Sequence, residues 1–254
     1  MRPEALTNRA YWQQQTAAFV PYQVRDNPFA KLFERYLPHD PSLQCVEIGA
    51  YPGGFLCYLA KRFGYQAAAI EYRPDADDIA RFFTFNGLPP PHIINADFFD
   101  YVGPQFDIVC SFGFAEHFSN FPAVLAHHVR LVRPGGLLVL SMPHVRGYQG
   151  LIRRLVYTRE AYEEMLETHN LEVMNLDVVK RNLSLAGLQI LHASYAMGGH
   201  QWVRSTSPRV RPSARLLVDS LAWVDRHIGV HLPSSRWFSP MIFTVSRKIL
   251  QKDD

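Results

Sequence analysis

Three carboxylates and two histidines stand where apolar runs give way to turns, and these residues have the types and spacing for chemistry. Glu47 lies two positions before Gly49 in the stretch Cys45-Val46-Glu47-Ile48-Gly49-Ala50-Tyr51-Pro52-Gly53-Gly54-Phe55. A carboxylate there repels a pyrophosphate and suits a cation. Gly49 can take positive φ, and Gly53 and Gly54 let the backbone come close to a ligand. Glu71 ends a second apolar run, 22 residues after Gly49, where a carboxylate can accept both hydroxyls of a ribose. Asp97-Phe98 closes a third run. His117 follows a fourth, and His169 lies further on. An imidazole titrates near neutral pH, so either histidine could take the proton of a hydroxyl.

These residues need a scaffold, and the periodicity supplies one. The run from Leu43 predicts a strand, and Leu56 to Phe63 a helix whose free N–H groups face the glycine turn. Further strands are expected at Gln66–Tyr72, His92–Ala96, Phe106–Phe112, Leu137–Met142, Leu188–Tyr195 and Pro240–Ile249. Helices are expected at Asp75–Asn86, Phe121–Val132 (stopped by Arg133-Pro134-Gly135-Gly136), Thr158–Glu167 with Thr158 as N-cap, Leu176–Ala186 and Ser213–Val224. Ahead of the first strand, one helix begins near Ala10, with Tyr11 and Trp12 as candidate lid aromatics. A second spans Pro28–Leu37, with Asn27 as N-cap and Pro38 as its end.

The glycine stretch does not follow G-x-G-x-x-G, since Tyr51 stands at the middle glycine. It resembles motif I of the class I S-adenosylmethionine (SAM)-dependent methyltransferases. Asp107-Ile108-Val109, Glu116-His117-Phe118 and Leu131-Val132-Arg133-Pro134-Gly135-Gly136 are similar to the successive later motifs of that family, so the likeness covers residues 43–145. The resemblance implies an α/β, doubly wound, mostly parallel Rossmann-like seven-stranded sheet, with the last strand antiparallel between strands 5 and 6 and a helical cap insertion. Residues 1–41 would be an N-terminal helical segment and 42–254 the methyltransferase domain, with insertions at 143–174 and 200–238. It implies SAM as cofactor, held by Glu47, Gly49, Ala50, Tyr51, Gly53, Glu71, Tyr72, Asp97, Phe98, Ser111 and Phe112. Asp97 would accept the adenine amino group and Phe98 pack on its ring.

Pro143-His144, Gly147, His169-Asn170 and Gly198-Gly199 look like bacterial polysaccharide- and sugar-modifying methyltransferases, although His144 stands where those enzymes carry asparagine. The expected reaction is methyl transfer to a hydroxyl of a small molecule or glycan, with His117 and His169 as candidate bases. His144 and His200 are weaker candidates, and His127-His128 reads as surface. The arginines Arg146, Arg153, Arg154, Arg204, Arg209 and Arg211 would suit a phosphate on the acceptor or form a solvated face. Three rivals remain: N- or C-methyl transfer, a non-catalytic protein of the same fold, and a nicotinamide-dependent oxidoreductase. Glu47, Tyr51 and the lack of a Tyr-x-x-x-Lys pair after strand 5 count against the last.

Composition fits this frame. The chain has 254 residues, 48% of them hydrophobic and 19% charged, as in soluble globular domains. A formal charge of +3 does not point to nucleic acid. Cys45, Cys57 and Cys110 lie in apolar runs with no C-x-x-C pair and read as buried thiols. The polar stretch Met1–Gln15 and the lack of a long apolar run lead to an expected cytoplasmic location without a membrane span. No metal is expected, because Gly113 stands where a Glu-His metal pattern would have its upstream acid.

Overall fold

In a computed structural model the described residues are 2–16, 20–73, 75–198, 203–229 and 232–250. The apolar runs form a seven-stranded sheet. Its strands are β1 (Gln44–Ile48), β2 (Gln66–Glu71), β3 (His92–Asn95), β4 (Phe106–Phe112), β5 (Val132–Pro143), β6 (Leu188–Ala196) and β7 (Met241–Lys248). Their order is β3-β2-β1-β4-β5-β7-β6. The first five run parallel, and β7 pairs antiparallel with both β5 and β6. In β1 the last four residues are all buried, the pattern of a parallel strand covered on both faces.

Nine α-helices lie among the described residues: α1 (Arg9–Thr16), α2 (Ala30–Tyr36), α3 (Gly54–Phe63), α4 (Asp77–Phe85), α5 (Phe121–Leu131), α6 (Gly147–Val156), α7 (Arg159–Glu167), α8 (Leu176–Leu185) and α9 (Arg215–His227). Alternation along the strands divides the core. Cys45, Ala69, Ile108, Val139 and Phe243 face α2, α3 and α4, where Phe33, Leu59 and Phe82 are fully buried. Val46, Ile70, Val109, Leu138 and Ile242 face α5 and α8. Burying one such large apolar side chain contributes about 1.5–3 kcal/mol. A third, small cluster joins α6 to α9 through Ile152, Val156 and Val218.

Several local expectations need correcting. Asn27 does not cap α2; Phe29 holds the N-cap position, and the Asn27 carboxamide accepts from the Phe29 N–H at 2.9 Å, in a turn just before the helix. Residues 133–136 are not a loop after α5. They already belong to β5, which pairs with β4 from Val132 across a register irregularity. Helix α6 has no counterpart in the sequence expectations, because its buried face is built from Gln149, Ile152, Arg153 and Val156 and so breaks the apolar period. Thr158 caps α7 as expected, accepting from Ala161 N. All three cysteines are free and buried. No described helix is long and apolar enough to cross a membrane.

Candidate cofactor site

Because β2 lies to one side of β1 and β4 to the other, the chain reverses direction across the sheet between β1 and β4. In open α/β sheets ligands bind beyond the carboxyl ends of the strands at such a switch point. Two cavities lie there. The larger, about 380 Å³, is walled by the ends of β1, β2, β3 and β4 and by the N-terminal segment. The smaller, about 200 Å³, sits over the glycine turn. They share Gly49, Tyr51 and Phe112. The larger is within the usual range for small-molecule sites.

Glu47 lines the smaller cavity and is 3% exposed. One oxygen accepts the Leu56 N–H at 2.9 Å, a free donor in the first turn of α3. Burial raises its pKa well above the ordinary carboxyl value, and the charge of Glu71 adds to the rise. Gly49 has φ +67, and a Cβ there would come within 2.6 Å of the Phe114 ring, so only glycine fits this turn without displacement. Ala50 also lines the smaller cavity. Gly53 lines neither cavity; with φ +103 it is the N-cap residue that turns the chain into α3.

Glu71 is 4% exposed and lines the larger cavity. Its carboxylate accepts the N–H groups of Tyr51 (3.2 Å), Tyr72 (3.0 Å) and Arg73 (3.2 Å). Burial pushes its pKa up, against those hydrogen bonds and the charge of Arg73. Tyr51, which stands in place of glycine, is built into this lattice. Its hydroxyl donates to Asp78 at 3.2 Å, and the Arg73 guanidinium lies 4.0 Å from its ring centroid. Burial and the neighbouring Asp78 push the phenol up to about 12. Arg73 in turn forks onto Asp75 (2.9 and 2.6 Å) and donates to the Trp12 carbonyl at 2.8 Å.

Asp97, Phe98, Tyr72 and Phe112 all line the larger cavity. The side chain of Asp97 accepts the Phe99 N–H at 2.9 Å and is paired with Arg2. Arg2 belongs to a strap that sequence reasoning missed. Leu6 N donates to His117 O at 2.8 Å, Ser119 N donates to Glu4 O at 3.0 Å, and Arg9 donates to Tyr72 O at 2.8 Å. The strap carries Trp12 onto the rim, where its ring meets His117 edge-on at 4.7 Å. Tyr11 packs against Trp12 at 5.2 Å and is absent from the cavity wall. Local periodicity could not have found Arg2, because its partner Asp97 is 95 positions away.

Ser111 is a second expected cofactor residue, after Gly53, that the structure keeps out of both cavities. It is 1% exposed, lines neither cavity and bonds His128 Nε2 at 3.0 Å. Successive strand residues point to opposite faces, so with Phe112 in the cavity wall Ser111 faces the α5 side. His128 is not a surface residue either: it is fully buried between Ser111 and the Val124 carbonyl.

The two candidate bases come together across 52 residues of sequence, with ring centroids 4.5 Å apart. His117 lines the larger cavity, whereas His169 packs behind it and lines neither of the two. His117 Nδ1 donates to the Thr168 carbonyl at 2.8 Å, which leaves Nε2 as the acceptor nitrogen. His169 Nδ1 lies 2.9 Å from the Met165 carbonyl. Burial drives both pKa values down, His117 to about 3 and His169 to about 4. Beside them Glu116 is 1% exposed, with Oε2 unpartnered and Oε1 3.8 Å from His117 Nε2. Burial pushes Glu116 up to about 8. The described residues hold no cluster of three or more metal-ligating side chains.

His144 is structural, its ring fixed between the carbonyls of Met174 (2.9 Å) and Arg236 (2.8 Å). His200 lies outside the described residues. None of the six cap arginines reaches either cavity. Arg153 is buried against the Gln149 carbonyl, Arg209 pairs with Glu164, and Arg211 donates to the Leu155 carbonyl.

A sheet of this order with acidic strand ends around a glycine turn defines a class of protein, and the comparisons agree with it. The profile of the family described as "Methyltransferase domain" matches residues 18–193. The chain belongs to this methyltransferase family. No curated protein matches it in sequence. Among solved structures it is similar to an S-adenosylmethionine-dependent methyltransferase from Mesorhizobium loti (14% identity, 87% of this chain and 98% of that one, TM-score 0.55). It is similar also to the N-methyltransferase NodS from Bradyrhizobium japonicum, crystallised with S-adenosylhomocysteine (12% identity, 94% and 97%, TM-score 0.54). The [4+2]-cyclase SpnF shares the fold as well (15% identity, 87% and 80%, TM-score 0.56). These likenesses are of fold.

Proposed function

We propose that the chain transfers a methyl group from SAM to a hydroxyl of a small-molecule or sugar acceptor. SAM is the cofactor of the family, and the residues present fit it. Two buried carboxylates, a close-approach glycine turn, a helix N-terminus and aromatic walls suit a ligand with a cationic centre, a ribose and a flat ring. Glu71 would accept the ribose hydroxyls, since its backbone donors fix the carboxylate while leaving lone pairs for further bonds. Glu47 and the first turn of α3 would hold the amino-acid end, and Asp97 with Phe98 the adenine. When bound, SAM supplies a methyl group on a sulfonium, whose positive charge is lost as the methyl moves.

This chain's residues then have three tasks. The strap, with Trp12 and Arg9, closes the larger cavity and excludes water, which matters because positioning and desolvation provide most of the rate in such transfers. Phe112 and Gly113 set the floor. His117 Nε2 is the group placed to take the acceptor proton, because its Nδ1–H is committed to Thr168; the burial that holds the ring neutral also makes it a weak base, so the bound acceptor and Glu116, 3.8 Å away, have to stabilise the imidazolium. His169 packs on that ring and is a positioning residue in this reading. The observation that supports the proposal best is the His117 imidazole in the cavity wall, its Nδ1–H fixed by the Thr168 carbonyl and its Nε2 3.8 Å from Glu116 Oε1.

The test is single-turnover methylation of a panel of sugar, phenol and amine acceptors. For a hydroxyl acceptor, His117→Ala is expected to lower kcat by about 10²–10⁴-fold, with S-adenosylhomocysteine affinity unchanged. Full turnover in both His117→Ala and His169→Ala, or methylation of amines alone, would overturn the hydroxyl reading.

A further inference from the structure

Helix α9 has three faces where a helix on a globular surface has two. One, with Val218, Leu221 and the N-cap residue Ala214, packs on α6. A second carries Arg215 and Asp219. The third spans Leu216, Leu217, Trp223 and Val224, which are 82%, 48%, 56% and 40% exposed, and the C-cap residue Ile228, 54% exposed, follows them. They share one side of a 3.6-residue helix with Ser220 and His227, whose ring stacks on Trp223 at 4.4 Å. On α6, Leu151 and Leu155 are also exposed, one turn apart, and after α9 so are Trp237 and Phe238. Large apolar side chains exposed in such number on neighbouring elements mark an interaction surface.

Charge identifies the occupant. Residues 143–156 and 203–240 hold nine arginines and no lysine, against Asp219 and Asp225; helix α7 between them carries Arg159 against Glu160, Glu163, Glu164 and Glu167, so the basic excess belongs to α6, α9 and their flanks. Of these arginines Arg146, Arg154, Arg204, Arg211, Arg215 and Arg236 are exposed. A second copy across this face would set arginines against arginines, and like charges opposed in an interface are strongly unfavourable. Tryptophan and leucine among arginines is instead the composition of a surface that lies in the headgroup region, apolar side inward and guanidinium groups on the phosphates. Arg236 stacks on Trp237 at 5.1 Å, a pair with one wet and one apolar end.

We propose that the cap formed by α6 and α9 docks the protein on an anionic phospholipid surface. The cap stands on the sheet edge that also carries the cofactor cavities, since α6 follows the carboxyl end of β5. The inference is independent of which acceptor is methylated.

Co-sedimentation of the full chain with phosphatidylcholine vesicles, with and without phosphatidylglycerol, tests it. The chain is expected to pellet with the anionic vesicles only and to be released by salt. The double variant Leu216→Ser/Trp223→Ser should bind about tenfold more weakly or worse. Arg154→Gln/Arg215→Gln should lose binding while keeping the apolar face. Unchanged thermal melting and S-adenosylhomocysteine affinity in both variants show that the fold survives, because none of the four residues touches the cofactor cavities. The proposal is overturned if anionic vesicles fail to bind the wild type, if neutral vesicles bind it equally, or if both variants bind like wild type. A wild-type dimer in sedimentation velocity that dissociates in Leu216→Ser would assign the face to a second copy instead.

Discussion

Glu116 shows how much one buried side chain can impose. Its carboxyl titrates near 8 rather than 4.5 because burial disfavours the anion. Between those values the folded chain holds a proton that the unfolded chain has released, so stability falls as pH rises. His117 and His169 act in the opposite sense: their pKa values lie below 6.5, so stability is lost as pH falls beneath that value. From pH 6.5 to 8 the histidine contribution levels off as the unfolded imidazoles lose their last protons, while that of Glu116 keeps falling. Glu116→Gln is therefore expected to flatten the stability profile there by about 2 kcal/mol relative to wild type, read from urea melts at a series of pH values. Parallel profiles would refute the assignment. At this scale the sequence was legible where a residue ends a strand: Glu47, Glu71, Asp97 and Phe112 all reach the cavities. Ser111 was legible too, had the two-residue alternation been applied, because Ser111 and Phe112 cannot face the same side.

Elements were read well where one period dominates. The strands fall within a few residues of expectation, except that β5 begins five residues early. Helix α6 was invisible because Gln149 and Arg153 occupy buried positions that a periodicity reading assigns to solvent. The strap was invisible for another reason: its partners Asp97, His117 and Ser119 are about a hundred residues downstream, and pairing at that range leaves no local trace. The glycine turn is the element on which the site most depends. Gly49→Ala would force a Cβ into the Phe114 ring at 2.6 Å from a backbone with φ +67. It is expected to cost about 1–3 kcal/mol of stability and to weaken cofactor binding. An equivalent Gly87→Ala, also at positive φ but with no atom within 4 Å, should cost less and leave cofactor binding alone. Thermal melts with and without S-adenosylhomocysteine separate the two, and equal effects on binding would mean that the turn is not part of the site.

At the scale of the whole molecule, the fold and its family follow from the strand order, the acidic strand ends and the matched profile, whereas the acceptor does not. In the proposed reading the acceptor would meet the strap and the packed pair His117 and His169, contacts that tertiary structure creates and no motif encodes. The occurrence of a [4+2]-cyclase on the same fold places the weight on direct measurement of the cofactor site. That measurement is isothermal titration of S-adenosylhomocysteine into the wild type, Glu71→Ala and Ser111→Ala. The wild type should bind in the micromolar range. Glu71→Ala should bind about 10–100-fold more weakly, as expected for loss of hydrogen bonds to a charged group. Ser111→Ala should match the wild type, since its hydroxyl faces His128. No binding by the wild type, or affinity unchanged in Glu71→Ala, would contradict the account.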